Sequence, residues 1–396
     1  MHNAATHPTS LYVHFPWCQS KCPYCDFNSY KLNKRLPASE YVSTLIVDLK
    51  KTLTFSNSSL ELKSIYFGGG TPNLFPPDAF KTLLDNIHEE CNFTDDIEIT
   101  LEMNPGIGQP DNLERYLALG INRLSVGAQT FSKKILNNIG RLHNENQTIQ
   151  LYKQAKKTGF ENINLDLMFG LPGQTSSQFD HDLRQLVDLS PEHISFYELT
   201  IEAGTQYYLK KPDLPDHEII WSMHDQGKNV FEQAGYQQYE ISAFSKPGFQ
   251  CVHNLNYWLY GDFVAIGAGA HGKYTGPTRD IFRYVKKANP KRYMDAVMNT
   301  EDQFFSTEKV SNRTLMIDFL MNYLRTKSGF TEQELLHKTG VPFNTVSDLF
   351  AQAKSQGLLQ KQHNQWSSTS KGHQFLNDLL LLFTVTAPDQ STLDSR

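Results

Sequence analysis

Between residues 10 and 245 the spacing of apolar positions alternates between two periods. Short runs rich in β-branched and aromatic side chains fall at 11–15, 64–67, 97–102, 123–126, 163–168 and 193–198. Between and after them lie stretches in which apolar residues return every three or four positions, at 39–52, 77–90, 112–119, 145–157, 177–189 and 216–234. A near-continuous apolar run reads as a strand covered on both faces, and the longer period as an amphipathic helix that covers it. Six such pairs predict βαβ units and hence a parallel sheet with helices outside, as an open doubly wound sheet or an incomplete (β/α)6 barrel. Both architectures gather ligand chemistry at the carboxyl ends of the strands.

The pattern changes further on. Residues 282–300 read as a connecting helical stretch. Beyond about 301, an amphipathic segment at 315–324 precedes a helix at 331–339 with a Thr-x-x-Glu start, then a helix at 343–356 ended by Gly357. Leu358-Leu359 and Gln365-Trp366 predict a two-stranded wing, and a last helix starts at Lys371. The order is that of a winged helix. The expected organisation is therefore a barrel over 1–245, a connecting segment over 246–300 and a small winged-helix-like domain over 301–396.

Composition narrows the class without naming a function. A chain of 396 residues, 39% hydrophobic and 20% charged, can bury a sizeable core and belongs with ordinary globular proteins. A net charge of −5 gives no case for nucleic acid, and the winged-helix segment is not strongly basic. The first ten residues carry no apolar leader, and the longest apolar run, 379–385, is too short to span a bilayer. The expected location is the cytoplasm, with peripheral membrane contact left open. A reducing compartment also suits metal-binding thiolates.

The candidate chemistry begins in LYVHFPWCQSKCPYCDFNSY, residues 11–30, which holds three of the chain's five cysteines at Cys18, Cys22 and Cys25. Four thiolates saturate a four-iron cluster, whereas three leave one iron open to a small ligand. Zinc usually takes four protein ligands, and Cys91 and Cys251 stand alone; buried thiols or a disulfide are the plain alternatives. Past the second strand, Gly68-Gly69-Gly70-Thr71-Pro72 could bring backbone groups close to a ligand or form an ordinary turn. Glu102 ends the third strand on the face opposite Ile97, Ile99 and Leu101, suited to ribose hydroxyls or an ammonium, although a lone charge there is commonly just solvated. Gln129 and Arg141 offer polar groups after the fourth strand, and Asp166 is a carboxylate inside an apolar run, costly unless paired or turned into a site. His253-Asn254-Leu255-Asn256-Tyr257-Trp258 offers an imidazole in aromatic company; a lone histidine is more often a structural hydrogen-bond partner than a ligand. Cys251, just before it, reads as a small buried residue.

The C-x3-C-x2-C spacing after a first strand, with GGGTP and HNLNYW downstream, resembles the branch of radical S-adenosylmethionine (SAM) proteins containing oxygen-independent coproporphyrinogen III oxidase and the HemW-type haem chaperones. The resemblance covers most of the chain and favours the incomplete barrel over the open sheet. It implies a [4Fe-4S] cluster on Cys18, Cys22 and Cys25 whose open iron takes the amine and carboxylate of SAM. It further implies that Gly69, Gly70, Thr71 and Glu102 hold SAM, with Tyr12 and Tyr24 flanking the cluster. Gln129, Arg141 and Asp166 match residues around a second SAM or the substrate pocket, and Thr200 and His271 match positions lining the same space. HNxxYW marks the HemW type and implies His253 as a haem ligand. Two departures from the oxidase branch favour the chaperone, namely Phe27 where oxidases carry a further cysteine and a short stretch ahead of Cys18. The expected partners are haem and haem-accepting proteins such as respiratory enzymes. The alternative activity is oxidative decarboxylation of coproporphyrinogen III.

Overall fold

A computed structural model describes residues 9–56, 60–107, 112–276, 278–299 and 303–384. Six strands, β1 (Thr9–Phe15), β2 (Glu61–Gly69), β3 (Asn92–Met103), β4 (Arg123–Gln129), β5 (Asn162–Phe169) and β6 (His193–Glu198), lie side by side in chain order, every neighbouring pair parallel. Helices Ala38–Ser56, Pro77–Glu90, Asn112–Ala118, Glu145–Thr158 and Ser176–Leu189 are the crossovers, and His217–Gln233 follows β6. Two of them begin in full capping boxes, Asn144 with Gln147 and Thr175 with Gln178, which satisfy the first free N–H groups. These are the six units of the expected incomplete barrel.

Alternation along the strands sorts the barrel into two faces. Leu11, Val13 and Phe15 are essentially fully buried and point outward into the helical layer, where Phe15 packs against Tyr41. Tyr12 and His14 point the other way, and Tyr12 stacks on its register partner Tyr66 with ring centroids 6.2 Å apart. The inner face is thus polar and aromatic, while the apolar core lies between strands and helices.

The sheet does not stop at six strands. A hairpin, β7 (Gln237–Glu240) and β8 (Ala243–Ser245), adds to β6 antiparallel. At the other edge β9 (Phe263–Ile266) pairs parallel with β1, followed by antiparallel β10 (His271–Thr275), β11 (Ile281–Lys286) and β12 (Phe305–Lys309), giving the order β12-β11-β10-β9-β1-β2-β3-β4-β5-β6-β8-β7. The helical stretch expected over 282–300 is therefore corrected. Its first part is strand β11, and helix covers only Pro290–Met298. The strand was concealed because its inward series ends in a charge: the ammonium of Lys286 lies fully buried, 2.7 Å from Asp48 Oδ1 and 2.6 Å from Thr52 Oγ1 on the first helix.

Helices Asn312–Tyr323, Glu332–Thr339 and Ser347–Ser355 surround a second hydrophobic cluster that includes Phe319, Phe330, Phe350 and Trp366. The wing gains a third strand, Phe330–Thr331, beside Gln365–Ser368, whose other edge pairs with Leu359–Gln362. This cluster is tied to the large sheet through Asp318, whose carboxylate accepts from Arg283 at 2.8 Å and from the Tyr260 hydroxyl at 2.6 Å. Among the described residues no helix is long and apolar enough to cross a membrane.

Candidate functional site

The cysteine loop leaves the end of β1 and is held by backbone bonds at both sides: Tyr30 N–H donates to Pro16 O at 2.7 Å and Leu32 N–H to Cys18 O at 2.8 Å. Between them Cys25 N–H donates to Cys22 O at 3.2 Å, which closes the turn, and Asn28 Nδ2 donates to the carbonyls of Ala268 and Ala288. Cys18 is nearly buried and Cys22 and Cys25 half-buried, all as free thiols. Burial, then the neighbouring sulfurs, pushes the Cys18 thiol up against the lowering effect of the Thr71 hydroxyl; burial likewise pushes Cys25 up, with Ser29 opposing. Cys91 and Cys251 are buried elsewhere.

The GGGTP loop runs directly against this one. Gly70 N–H donates to Phe15 O at 2.7 Å, and a Cβ there would lie 2.6 Å from Trp17 O. Gly69 has a φ of +111°, and a Cβ on it would strike the His14 ring. Thr71, 1% exposed, accepts from Asn104 Nδ2 at 2.7 Å. Glu102 turns inward at the end of β3, where one oxygen accepts from the Tyr66 hydroxyl at 2.9 Å and the other from Gly69 N–H at 3.0 Å. Burial, only partly offset by those two donors, pushes its carboxyl up to about 7.

The other half of the barrel interior holds a second polar group. Arg141 donates to Asn104 Oδ1 at 2.6 Å and Gly127 O at 2.8 Å, with Tyr24 and Cys22 nearby; burial of Tyr24 pushes its hydroxyl up although the Arg141 charge pulls it down. Gln129 is buried with φ +66°, a left-handed conformation unusual outside glycine, and its amide oxygen accepts from Tyr197 at 2.8 Å. Asp166 accepts from Asn164 Nδ2 at 2.7 Å, and burial raises its carboxyl. Thr200 stands exposed past the end of β6 and is not drawn in.

A cavity of about 650 Å³ opens from the Gly69 and Glu102 edge toward the HNLNYW helix, Val252–Trp258, and β10. His14, His253 and His271 all line it, with Tyr12, Tyr66, Phe27, Tyr257, Trp258 and Phe263. His253 is 1% exposed, with Nδ1 bonded to Ser64 Oγ at 2.9 Å, Nε2 to the Tyr257 hydroxyl at 2.7 Å and its ring stacked on Tyr66. Burial lowers it to about 3, so it is a neutral, doubly bonded imidazole. Its helix is anchored from β3 by Glu98, whose oxygens accept the N–H groups of Val252 and His253, both at 3.1 Å. Tyr66, Tyr197, Asn104 and His14 were not anticipated. His14 could have been found from its shared face with Tyr12, whereas the others sit in runs that read as ordinary strand or loop.

The donor set fits an iron–sulfur cluster with an open iron. Three thiols, one buried and two half-buried, lie on one loop, where the neighbouring sulfurs raise the Cys18 and Cys25 thiols, and the loop is held by backbone bonds and by Asn28. Among the described residues no three His, Cys, Asp or Glu side chains are drawn together round one ion's position.

Residues 12–186 match the Radical SAM superfamily. Over 379 residues the chain is 42% identical to the heme chaperone HemW of Haemophilus influenzae, covering 95% of this chain and 98% of that one. It is 40% identical to HemW of Escherichia coli over 377 residues and 33% identical to HemW of Bacillus subtilis over 372, covering 95% and 92% of this chain and 98% and 95% of theirs. Among solved structures it resembles coproporphyrinogen III oxidase (HemN) of Escherichia coli, a radical SAM enzyme, with a TM-score of 0.81 over 96% of this chain and 91% of that one at 22% identity, a likeness of fold.

Proposed function

Because the chain belongs to the HemW family of radical SAM proteins, we propose that it is a haem chaperone that carries a cluster and SAM and passes haem to haem-dependent proteins. The observation that carries this reading is the shared cavity, in which the loop and carboxylate expected to hold SAM face an aromatic, imidazole-bearing wall. Its volume of about 650 Å³ lies within the roughly 300–1,000 Å³ of small-molecule sites.

In this reading Cys18, Cys22 and Cys25 hold the cluster, which when bound supplies an open iron for the amine and carboxylate of SAM. Gly69, Gly70 and Thr71 supply a backbone nest, and Glu102 an acceptor for hydroxyls or for positive charge. Arg141, through Asn104 and Thr71, braces the two loops against each other. Tyr12 lines the same cavity, while Tyr24, Gln129 and Asp166 form with Arg141 the polar group in the other half of the barrel interior. Phe27, 57% exposed beside Cys25 and on the cavity's edge, keeps an apolar surface within reach of solvent, as cargo that must leave requires. Transfer to respiratory enzymes in the cytoplasm is the delivery this implies.

The test is an anaerobic haem titration of the cluster-reconstituted protein, followed through its Soret band. Saturable, stoichiometric binding is expected, without decarboxylation of coproporphyrinogen III by the same preparation. Conversion of coproporphyrinogen with no saturable haem binding would replace the chaperone by the oxidase.

A further inference from the structure

The motif histidine expected to hold haem iron is not free to do so. Three imidazoles line the cavity, and two of them have both ring nitrogens engaged. His253 is bonded to Ser64 and Tyr257, and His14 to the Tyr12 hydroxyl at 3.0 Å and to Asn28 O at 2.9 Å. An imidazole binds iron through a ring nitrogen lone pair, so either residue would first have to give up a buried hydrogen bond and strand its partner.

His271 differs on each count. It opens β10, is exposed, and its ring makes no hydrogen bond among the described residues. The alternation of the strand places it on the same side as Lys273, and both line the cavity. The loop before it is fixed: Asn28 from the cysteine loop bonds Ala268 O at 2.8 Å, and Lys286 N–H bonds Ala270 O at 2.9 Å, so the backbone that presents the imidazole is rigid while the ring itself is free. Phe27, Tyr257 and Trp258 supply aromatic surface for a porphyrin in the same space.

Resting on the chaperone reading, we propose that His271 is the axial ligand of haem iron and that His253 is a positioning residue. His253 locks the motif helix against β2 through Ser64 and Tyr66, and so sets the aromatic wall. An iron–imidazole bond needs only an accessible ring nitrogen, and His271 provides one.

The experiment titrates haem into cluster-reconstituted wild type, His271→Gln, His271→Met and His253→Gln, reading affinity, the Soret band and the iron–imidazole stretch by resonance Raman. We expect wild type and His253→Gln to share the iron–imidazole signature. We expect His271→Gln to lose it and bind about tenfold or more weakly, exogenous imidazole to restore it, and His271→Met to show a thioether signature. An unaltered signature in both His271 variants overturns the assignment and leaves the chaperone standing. Absence of haem binding by the wild type overturns the chaperone reading and the assignment with it.

Discussion

Glu102 shows what burial does to a single group. Its carboxyl is pushed from an ordinary value of 4.5 to about 7, so between those values the folded protein keeps a proton that the unfolded chain has lost. Stability therefore falls as pH rises through that window, and the full cost is present above about 7. Glu102→Gln removes the charge and one of the two acceptor oxygens, so the SAM-free variant is expected to be more stable by roughly 1–2 kcal/mol at pH 8, with no gain at pH 4. Thermal unfolding at the two pH values checks this, and the same variant should bind SAM more weakly by calorimetry. Equal melting temperatures at pH 8 would mean the carboxylate is already compensated. Glu102 was legible because its strand alternates cleanly. Its partner Tyr66 was not, since a tyrosine inside SIYFGGG reads as one more apolar residue and its hydroxyl's destination is set by register with β3. His253 was legible as a notable residue, but its hydrogen bonds to Ser64 and Tyr257 were not, because nothing in the sequence tells a bonded imidazole from a free one.

Among elements, the strand that the sequence concealed is held by a fully buried ion pair. Lys286 on β11 and Asp48 on the first helix are both fully buried, and Asp48 also accepts from Gly267 N–H at 3.1 Å and from Tyr293, joining four segments at one carboxylate. Removing one partner leaves an uncompensated charge in the interior, so Lys286→Met is expected to cost about 3–5 kcal/mol, and the double variant Lys286→Met with Asp48→Asn should recover part of that loss. Denaturant unfolding of the wild type and the two variants tests it; a double variant no better than the single would mean the hydrogen bonds, not the charges, hold the joint. The six βαβ units were readable because their periods and caps are local. Strand β11 was not, because it carries a lysine buried opposite an aspartate 238 residues away. The seven-residue motif helix makes the same point in reverse. It is too short to persist alone and exists because Glu98, from a distant strand, satisfies its first N–H groups.

At the scale of the whole molecule, the second hydrophobic cluster is tied to the large sheet through Asp318 and Arg283, and one cavity touches the cysteine loop, the GGGTP loop, β3 and the motif helix together. Tyr66 touches both walls of that cavity, with its hydroxyl on Glu102 and its ring on His253. If SAM and haem both occupy that space, their affinities are bound by reciprocity: whatever factor saturating SAM imposes on the dissociation constant of haem, saturating haem imposes on that of SAM. Paired titrations should return one common factor of about fivefold or more, and a factor of one in both directions would mean independent guests. A cell's supply of a methyl donor then becomes a setting on how tightly cargo is gripped, and unloading can be read as an exchange of one guest for another.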